Sequence, residues 1–296
     1  MKSVLLIYNP VAARTSISVL ESIKRVFSSA GWQVTVADTR HVGDAEDLAR
    51  NGVAEGADVV AVYGGDGTTI QAVGGMMGTG TPLGLLPGGT GNLLAGNLRL
   101  PRSPVKCAEV IVKGKPHPID LGRLSIGGKE RYFSVGCGAG FDAEIMTGTT
   151  EAAKKRFGMA AYVAKTLEVL GNLETVPHRI TIDGDTRELD ATCVLVVNCG
   201  EIIPPILKLK KDISLRDGLL DVVVLSPTGY MESLGVVWQM LSGRANGQGQ
   251  LQYAQGKVVE VETDRPQPVE MDGEGAGRTP FTAEAIPNGI EVYLPR

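Results

Sequence analysis

The sequence predicts an α/β N-terminal domain with a parallel sheet and glycine-rich loops, followed by a β-rich C-terminal domain of antiparallel sandwich type. Three observations predict it. Apolar runs alternate with helix-period segments through the first hundred residues. Glycine reaches 39 of 296 residues, 13% against a usual ~7%, in short clusters with no collagen-like period. After about Pro118 strand-like segments dominate. The length suits two domains at ~100–200 residues each. They are read as 1–118 and 119–289, with a last strand at 290–296 that can return to the first domain.

Element by element, 4–8 is a continuous apolar run, as in a strand buried on both faces. In 18–27, Leu20, Ile23 and Phe27 fall at helical spacing; Ser18 with Glu21 fits a capping box and Gly31 a stop. Trp32, Val34 and Val36 alternate as a second strand. Residues 44–55 read as a helix, 58–63 as a third strand, 69–77 as a helix and 81–86 as a fourth strand. That βαβαβαβ order implies a parallel sheet with helices on both faces. Beyond it, 118–126, 130–137, 178–183, 187–198, 217–225, 250–264, 268–271 and 290–294 read as strands. Asp183-Gly184 marks a hairpin. The main helical insertions are 152–173 and 230–241.

A chain that is 43% hydrophobic and 21% charged can bury a sizeable core. A net charge of −4 argues against a nucleic-acid partner, which would call for a basic face. Cys107, Cys137, Cys193 and Cys199 have no metal-type spacing and read as buried thiols of a reducing compartment. The N-terminus does not read as a signal peptide, and no apolar run approaches the ~20 residues of a membrane span. The expected location is cytoplasmic. His41, His117 and His178 form no metal-ligand pair.

The strongest chemical signal is Gly64-Gly65-Asp66-Gly67-Thr68, after an apolar strand and before a helix. Glycines let backbone amides approach a ligand, and a helix N-terminus favours anions. Such loops at the C-terminal edge of a parallel sheet are where open α/β folds bind ligands. Asp66 could hold Mg²⁺ or orient a phosphate through a metal. Pro87-Gly88-Gly89-Thr90-Gly91-Asn92 repeats the design one strand later. Asn9-Pro10 and Asp38-Thr39 end the first two strands at the same edge. Late in the chain, Asp272-Gly273-Glu274 places two carboxylates at a strand end. They could divide base and metal-ligand roles, or form an Asp-Gly turn with solvated charges. Asp217-Gly218 carries the same turn reading.

The two glycine loops together resemble the diacylglycerol kinase catalytic-domain family, which includes sphingosine and ceramide kinases and bacterial soluble lipid kinases. The resemblance continues through Asn9-Pro10, Thr39 with His41 and Ala45, Gly138-Ala139-Gly140-Phe141-Asp142, Asp217-Gly218-Leu219-Leu220-Asp221 and Asp272-Gly273-Glu274, nearly the whole chain in order. It implies an ATP- and Mg²⁺-dependent lipid kinase with its active site in an interdomain cleft. By that resemblance Asn9, Thr39, Gly65, Asp66, Gly67, Thr68 and Thr90 contact ATP. Asp217, with backbone carbonyls near Ser214 and Leu219, holds a structural Mg²⁺. Glu274 is the general base with Asp272 beside it. Two departures stand out: Ala13 replaces a glycine of the first loop, and Leu93-Leu94 replaces Asp-Phe.

The alternatives are a soluble-metabolite kinase of the NAD kinase type, which shares the first glycine loop, and a non-catalytic nucleotide-binding regulator. The late Asp-Gly elements argue against the first and the retained Asp272 and Glu274 against the second. The expected partner is a lipid substrate, and a homodimer is compatible with the sequence. The apolar run 202–207 contains two prolines, and Lys208, Lys210 and Lys211 follow it. Residues 202–211 are therefore a candidate peripheral membrane contact, since lysines near an anionic surface contribute ~1 kcal/mol each. Lys154, Lys155, Arg156 and Phe157 form a second candidate patch.

Overall fold

A computed structural model describes residues 1–140, 175–203, 207–208, 213–226, 232, 235 and 251–295. The expected helices at 152–173 and 230–241, Phe141, Asp142 and the patch at 154–157 lie outside the described residues. The chain divides into two compact units, one of Met1–Leu121 with Pro287–Arg296, the other Gly122–Ile286. Two long strands carry the chain from one unit to the other: β5 (Lys115–Ile126) and β18 (Phe281–Leu294).

In the first unit, β1 (Ser3–Tyr8), β2 (Gln33–Asp38), β3 (Val59–Gly64) and β4 (Leu83–Pro87) form a parallel sheet in the order β2-β1-β3-β4. The end of β18 adds to β4 in parallel, with Val292 opposite Leu83. β1 and β3 are apolar and almost wholly buried because helices cover both faces. α1 (Ile17–Ser29) and α5 (Pro104–Lys113) pack Leu20, Ile23, Phe27, Cys107, Ala108 and Ile111 against one face. On the other, α2 (Asp44–Ala54) brings Gly52 onto Leu5, and α3 (Asp66–Met76) lies so close to α2 that a Cβ on Gly75 would sit 2.1 Å from the Glu46 carbonyl oxygen.

Three local expectations are corrected. α1 is capped by Ser16, whose hydroxyl accepts from the Val19 amide, not by a Ser18–Glu21 box. α3 begins at Asp66 rather than 69, so Asp66 and Gly67 belong to its first turn. α5, capped by Ser103 with Pro104 in its first turn, was not foreseen.

The second unit is a sandwich. One sheet is antiparallel and runs β14-β13-β10-β7-β16-β17, built from β14 (Leu251–Gly256), β13 (Leu220–Leu225), β10 (Cys193–Val197), β7 (Gly136–Ala139), β16 (Pro268–Met271) and β17 (Glu274–Arg278). The other runs from β18 through β15 (Val258–Thr263) and β8 (Val176–Ile182) to β9 (Asp185–Ala191), with β5 and β6 (Lys129–Phe133) beside β18. Phe133, Ile180, Val259, Val261 and Phe281 of one sheet meet Cys137, Val194, Val196, Val222 and Val269 of the other in one core. Asp183-Gly184 turns β8 into β9 with both residues at positive φ (49° and 93°), as the dipeptide predicts.

The expected strands at 130–137, 187–198 and 250–264 are each broken in two, at 134–135, 192 and 257. At every break the chain passes from one sheet of the sandwich to the other. Four cysteines are free and buried. Residues 201–203 and 207–208 pair as a short antiparallel ladder, β11 and β12.

Candidate active site

In the first unit the glycine loops meet directly. The Gly88 amide donates to the Gly64 carbonyl (2.8 Å), and a Cβ on Gly89 would lie 2.7 Å from the Gly65 Cα. The crossing has no room for a side chain on Gly89, whereas a Cβ on Gly65 would meet the Gly89 Cα at an ordinary 3.5 Å. Asn92, held at φ 50°, closes the second loop: its Oδ1 accepts from the Gly89 amide (2.9 Å) and its Nδ2 donates to the Gly89 carbonyl (2.8 Å).

The Asp66 carboxylate joins the two loops. Its Oδ1 accepts from the Leu93 amide at 2.7 Å, at the start of α4 (Leu93–Asn97). Burial raises its pKa against the pull of the amides at 92–94. Asn9 ties the first strand end to the same place: its Nδ2 donates to Thr68 Oγ1 (2.8 Å) and its Oδ1 accepts from the Val11 amide (3.1 Å). Thr39 follows β2, its amide donating to the Tyr8 carbonyl (2.9 Å). Thr90 is exposed at the tip of the second loop. Asn9, Thr39, Gly65, Asp66, Gly67, Thr68 and Thr90 therefore share the C-terminal edge of one parallel sheet. The first-turn amides of α3 have no acceptor within the helix and can face an anion. Ala13 is not among the positive-φ residues, so the alanine costs no backbone strain.

In the second unit Asp272 and Gly273 are the two-residue turn of the β16–β17 hairpin, with φ values of 49° and 87°. The turn expected from Asp-Gly is there, but the Asp272 charge is not solvated. Its carboxylate accepts from the amides of Ser134 (2.9 Å), Val135 (2.9 Å) and Gly136 (3.0 Å) and from the Ser134 hydroxyl (3.1 Å). Burial raises this group too, opposed by those four donors. Four donated hydrogen bonds satisfy a carboxylate, not a carboxylic acid. Asp272 thus pins the hairpin to the point where the chain switches sheets. Glu274, two residues on, opens β17 with an exposed side chain.

Glu270, which sequence reasoning passed over, lies beside this pair. Its Oε2 accepts from the Gly273 amide (3.2 Å), and burial, with the Asp272 charge, lifts its pKa to about 7. Ser134 was also missed. No local signal marks it, because its partner lies 138 residues away.

Asp217 stands elsewhere. It precedes β13, three strands from β16 in the sheet, or ~14 Å at ~4.8 Å per strand. Its Oδ1 accepts from the Leu219 amide (3.1 Å), and Ser214 Oγ accepts from the Arg216 amide (3.2 Å). Among the described residues no three His, Cys, Asp or Glu side chains are grouped to hold a metal.

Two family descriptions match the chain: "Diacylglycerol kinase catalytic domain" over residues 3–124, and "YegS C-terminal NAD kinase beta sandwich-like domain" over residues 135–294. A diacylglycerol kinase of Bacillus subtilis is 28% identical over 300 residues, covering 100% of this chain and 97% of that protein. A diacylglycerol kinase of Mycobacterium tuberculosis is 30% identical over 262 residues, covering 86% and 82%. A solved diacylglycerol kinase structure from Bacillus anthracis str. Sterne is similar in fold, with a TM-score of 0.78 at 24% identity over 99% of this chain and 97% of that one. With matches running from residue 3 to residue 294 across both units, this chain belongs to the diacylglycerol kinase family and is a lipid kinase.

Proposed function

We infer that this kinase transfers the γ-phosphoryl group of ATP to a hydroxyl of a lipid such as diacylglycerol. The observation that carries the reading is the interlocked pair of glycine loops, locked by Asp66 and Asn92, beside the free first-turn amides of α3. Phosphoryl transfer needs positioning and charge stabilisation rather than covalent chemistry from the protein, and rigid backbone donors supply both. Asn9, Thr68 and Thr90 complete the nucleotide edge, with Thr39 at the neighbouring strand end.

Glu274 takes the proton of the attacking hydroxyl. It is the exposed carboxylate of the turn, whereas Asp272 has its oxygens committed to four donors. Asp272 is a positioning residue in this reading, holding the hairpin that presents Glu274.

Mg²⁺ fits a site of this composition. It is commonly held by one or two carboxylates, with water and substrate phosphates completing its shell. Asp66 Oδ1 accepts from the Leu93 amide, and its Oδ2, which faces Gly91, would be the ligand. The ion would neutralise charge on the β- and γ-phosphates there. Asp217, with one oxygen engaged in its own turn, retains the other for a structural ion shared with the carbonyls of Ser214 and Leu219.

Lipid acceptors bring the enzyme to a bilayer. Among the described residues no helix is long and apolar enough to cross one. Transient docking of a cytoplasmic enzyme through 202–211 completes the reading; 204–206 and 209–211 lie outside the described residues. The test is transfer of label from [γ-³²P]ATP to a panel of dispersed lipid alcohols with Mg²⁺, alongside NAD as a soluble acceptor. Label in a lipid product supports the reading. Label in NAD alone overturns it.

A further inference from the structure

The second unit contains an opening that the kinase reading does not use. β9 ends one of the two sheets and β14 ends the other. Strand register puts Arg187 and Leu189 of β9 opposite Ile180 and His178 of β8, so they point into the sandwich. It puts Gln252 and Ala254 of β14 opposite Val224 and Val222 of β13, on the inward face of the other sheet. Gly256 abuts Ile182, which sets Ala254 across from the Ile180–Arg187 pair. The short alanine leaves the gap unfilled.

The result is a cavity of about 220 Å³ with an apolar floor of Ile180, Val222, Val224 and Leu189. Close-packed interiors hold few voids larger than a water molecule. A ~150 Å³ apolar cavity admits benzene, so this one has room for a chain of roughly eight to ten carbons. Its mouth is polar. Arg187 lines it, is exposed, and has no ion pair or hydrogen bond among the described residues; the neighbouring Glu188 is engaged by Arg179 instead. The Asp183 carboxylate is committed to the amides of Lys257 and Val258. Asp185, also at the rim, lies two residues nearer the turn, ~7 Å along the strand.

An uncommitted guanidinium above an apolar slot matches one ligand chemistry: a single alkyl chain ending in a carboxylate. The planar fork of arginine accepts a carboxylate with two parallel hydrogen bonds, and the Gln252 amide stands across the mouth. We propose that this cavity of the second unit binds a medium-chain carboxylic acid, at a site separate from the Asp272–Glu274 hairpin. The separation follows from the sheet: β14 and β17 are its opposite edges.

The test is equilibrium dialysis of the full chain with radiolabelled decanoate, below its micelle concentration, with decanol as the neutral isostere. Wild type is expected to bind one decanoate per chain and to bind decanol at least ~10-fold more weakly. Arg187→Gln should lower decanoate affinity at least ~10-fold and leave decanol affinity unchanged. Ala254→Phe should fill the cavity and remove binding of both; Ala254→Val serves the same purpose if the larger side chain prevents folding. Absence of saturable binding to wild type overturns the proposal. So does equal binding by Arg187→Gln and wild type. None of these outcomes depends on lipid kinase turnover, so the proposal and the kinase reading fail separately.

Discussion

Glu270→Gln isolates the electrostatic cost of placing a second carboxyl beside Asp272. Gln is the same shape and keeps an oxygen for the Gly273 amide, so the change removes only a titrating proton. In the folded chain burial and the Asp272 charge raise the Glu270 pKa from an ordinary 4.5 to about 7. Between those values the folded chain holds a proton that the unfolded chain has released. Raising the pH through that window therefore favours unfolding, at ~1.4 kcal/mol per pH unit. From pH 4.5 to 7 the loss sums to about 3 kcal/mol, a ceiling because Glu270 is half-buried and solvent screens part of it. Urea denaturation of wild type and Glu270→Gln at half-unit steps from pH 4.5 to 8 measures it. The variant should match wild type near pH 4.5 and become progressively more stable, levelling off above pH 7. Parallel stability curves would refute the argument, because Glu270 would then ionise alike in both states.

Other outcomes follow from the same geometry. Glu274→Gln should lower kcat at least ~10²-fold, the lower range for a lost general base, at unchanged melting temperature; Asp272→Asn should instead lower the melting temperature, because its NH2 group, in place of one carboxylate oxygen, faces two of the four donors. Turnover by Glu274→Gln at the wild-type rate would reverse these assignments. Asp66→Ala should destabilise the first unit by ~1.5–3 kcal/mol through loss of a charged hydrogen bond, while Asp66→Asn, which can still accept from Leu93, should keep the fold and lose transfer. Thermal melts and single-turnover labelling separate the two. Gly89→Ala puts a methyl 2.7 Å from the Gly65 Cα; overpacking of ~1–3 kcal/mol should appear as a raised KM for ATP, and an unchanged KM would count against the loop crossing. Asp217→Ala should lower the melting temperature and abolish its response to chelator; a wild-type melting temperature that chelator leaves unchanged would count against a structural ion there.

Much of the first unit was legible because its physics is local. A strand buried on both faces must be continuously apolar, and 4–8 and 59–63 are. A phosphate loop needs glycine where backbones cross, and Gly89, whose Cβ would lie 2.7 Å from the Gly65 Cα, is required at the contact. What was missed is non-local. Nothing near Ser134 announces that it will donate to a carboxylate 138 residues on. The strands broken at 134–135, 192 and 257 read as continuous because alternation persists while the chain changes sheets; period reports which face is apolar, not which sheet it faces. Asp66 was read for its charge, yet its most definite task in the structure is mechanical, bridging to the Leu93 amide. Asp272 was a turn and a half-buried anchor at once, a combination that sequence alone presents as alternatives.

The central claim is that the glycine-loop edge and Glu274 together move phosphate from ATP to a lipid hydroxyl. The most direct measurement incubates wild type and Glu274→Gln with [γ-³²P]ATP, Mg²⁺ and diacylglycerol in mixed micelles, and counts label in the organic phase. Wild type should accumulate organic-phase label in proportion to time and enzyme, and Glu274→Gln, equally folded, at least ~10²-fold less. Organic-phase label at equal rates from both proteins, or none from wild type with any lipid alcohol while a water-soluble acceptor is labelled, would contradict the account.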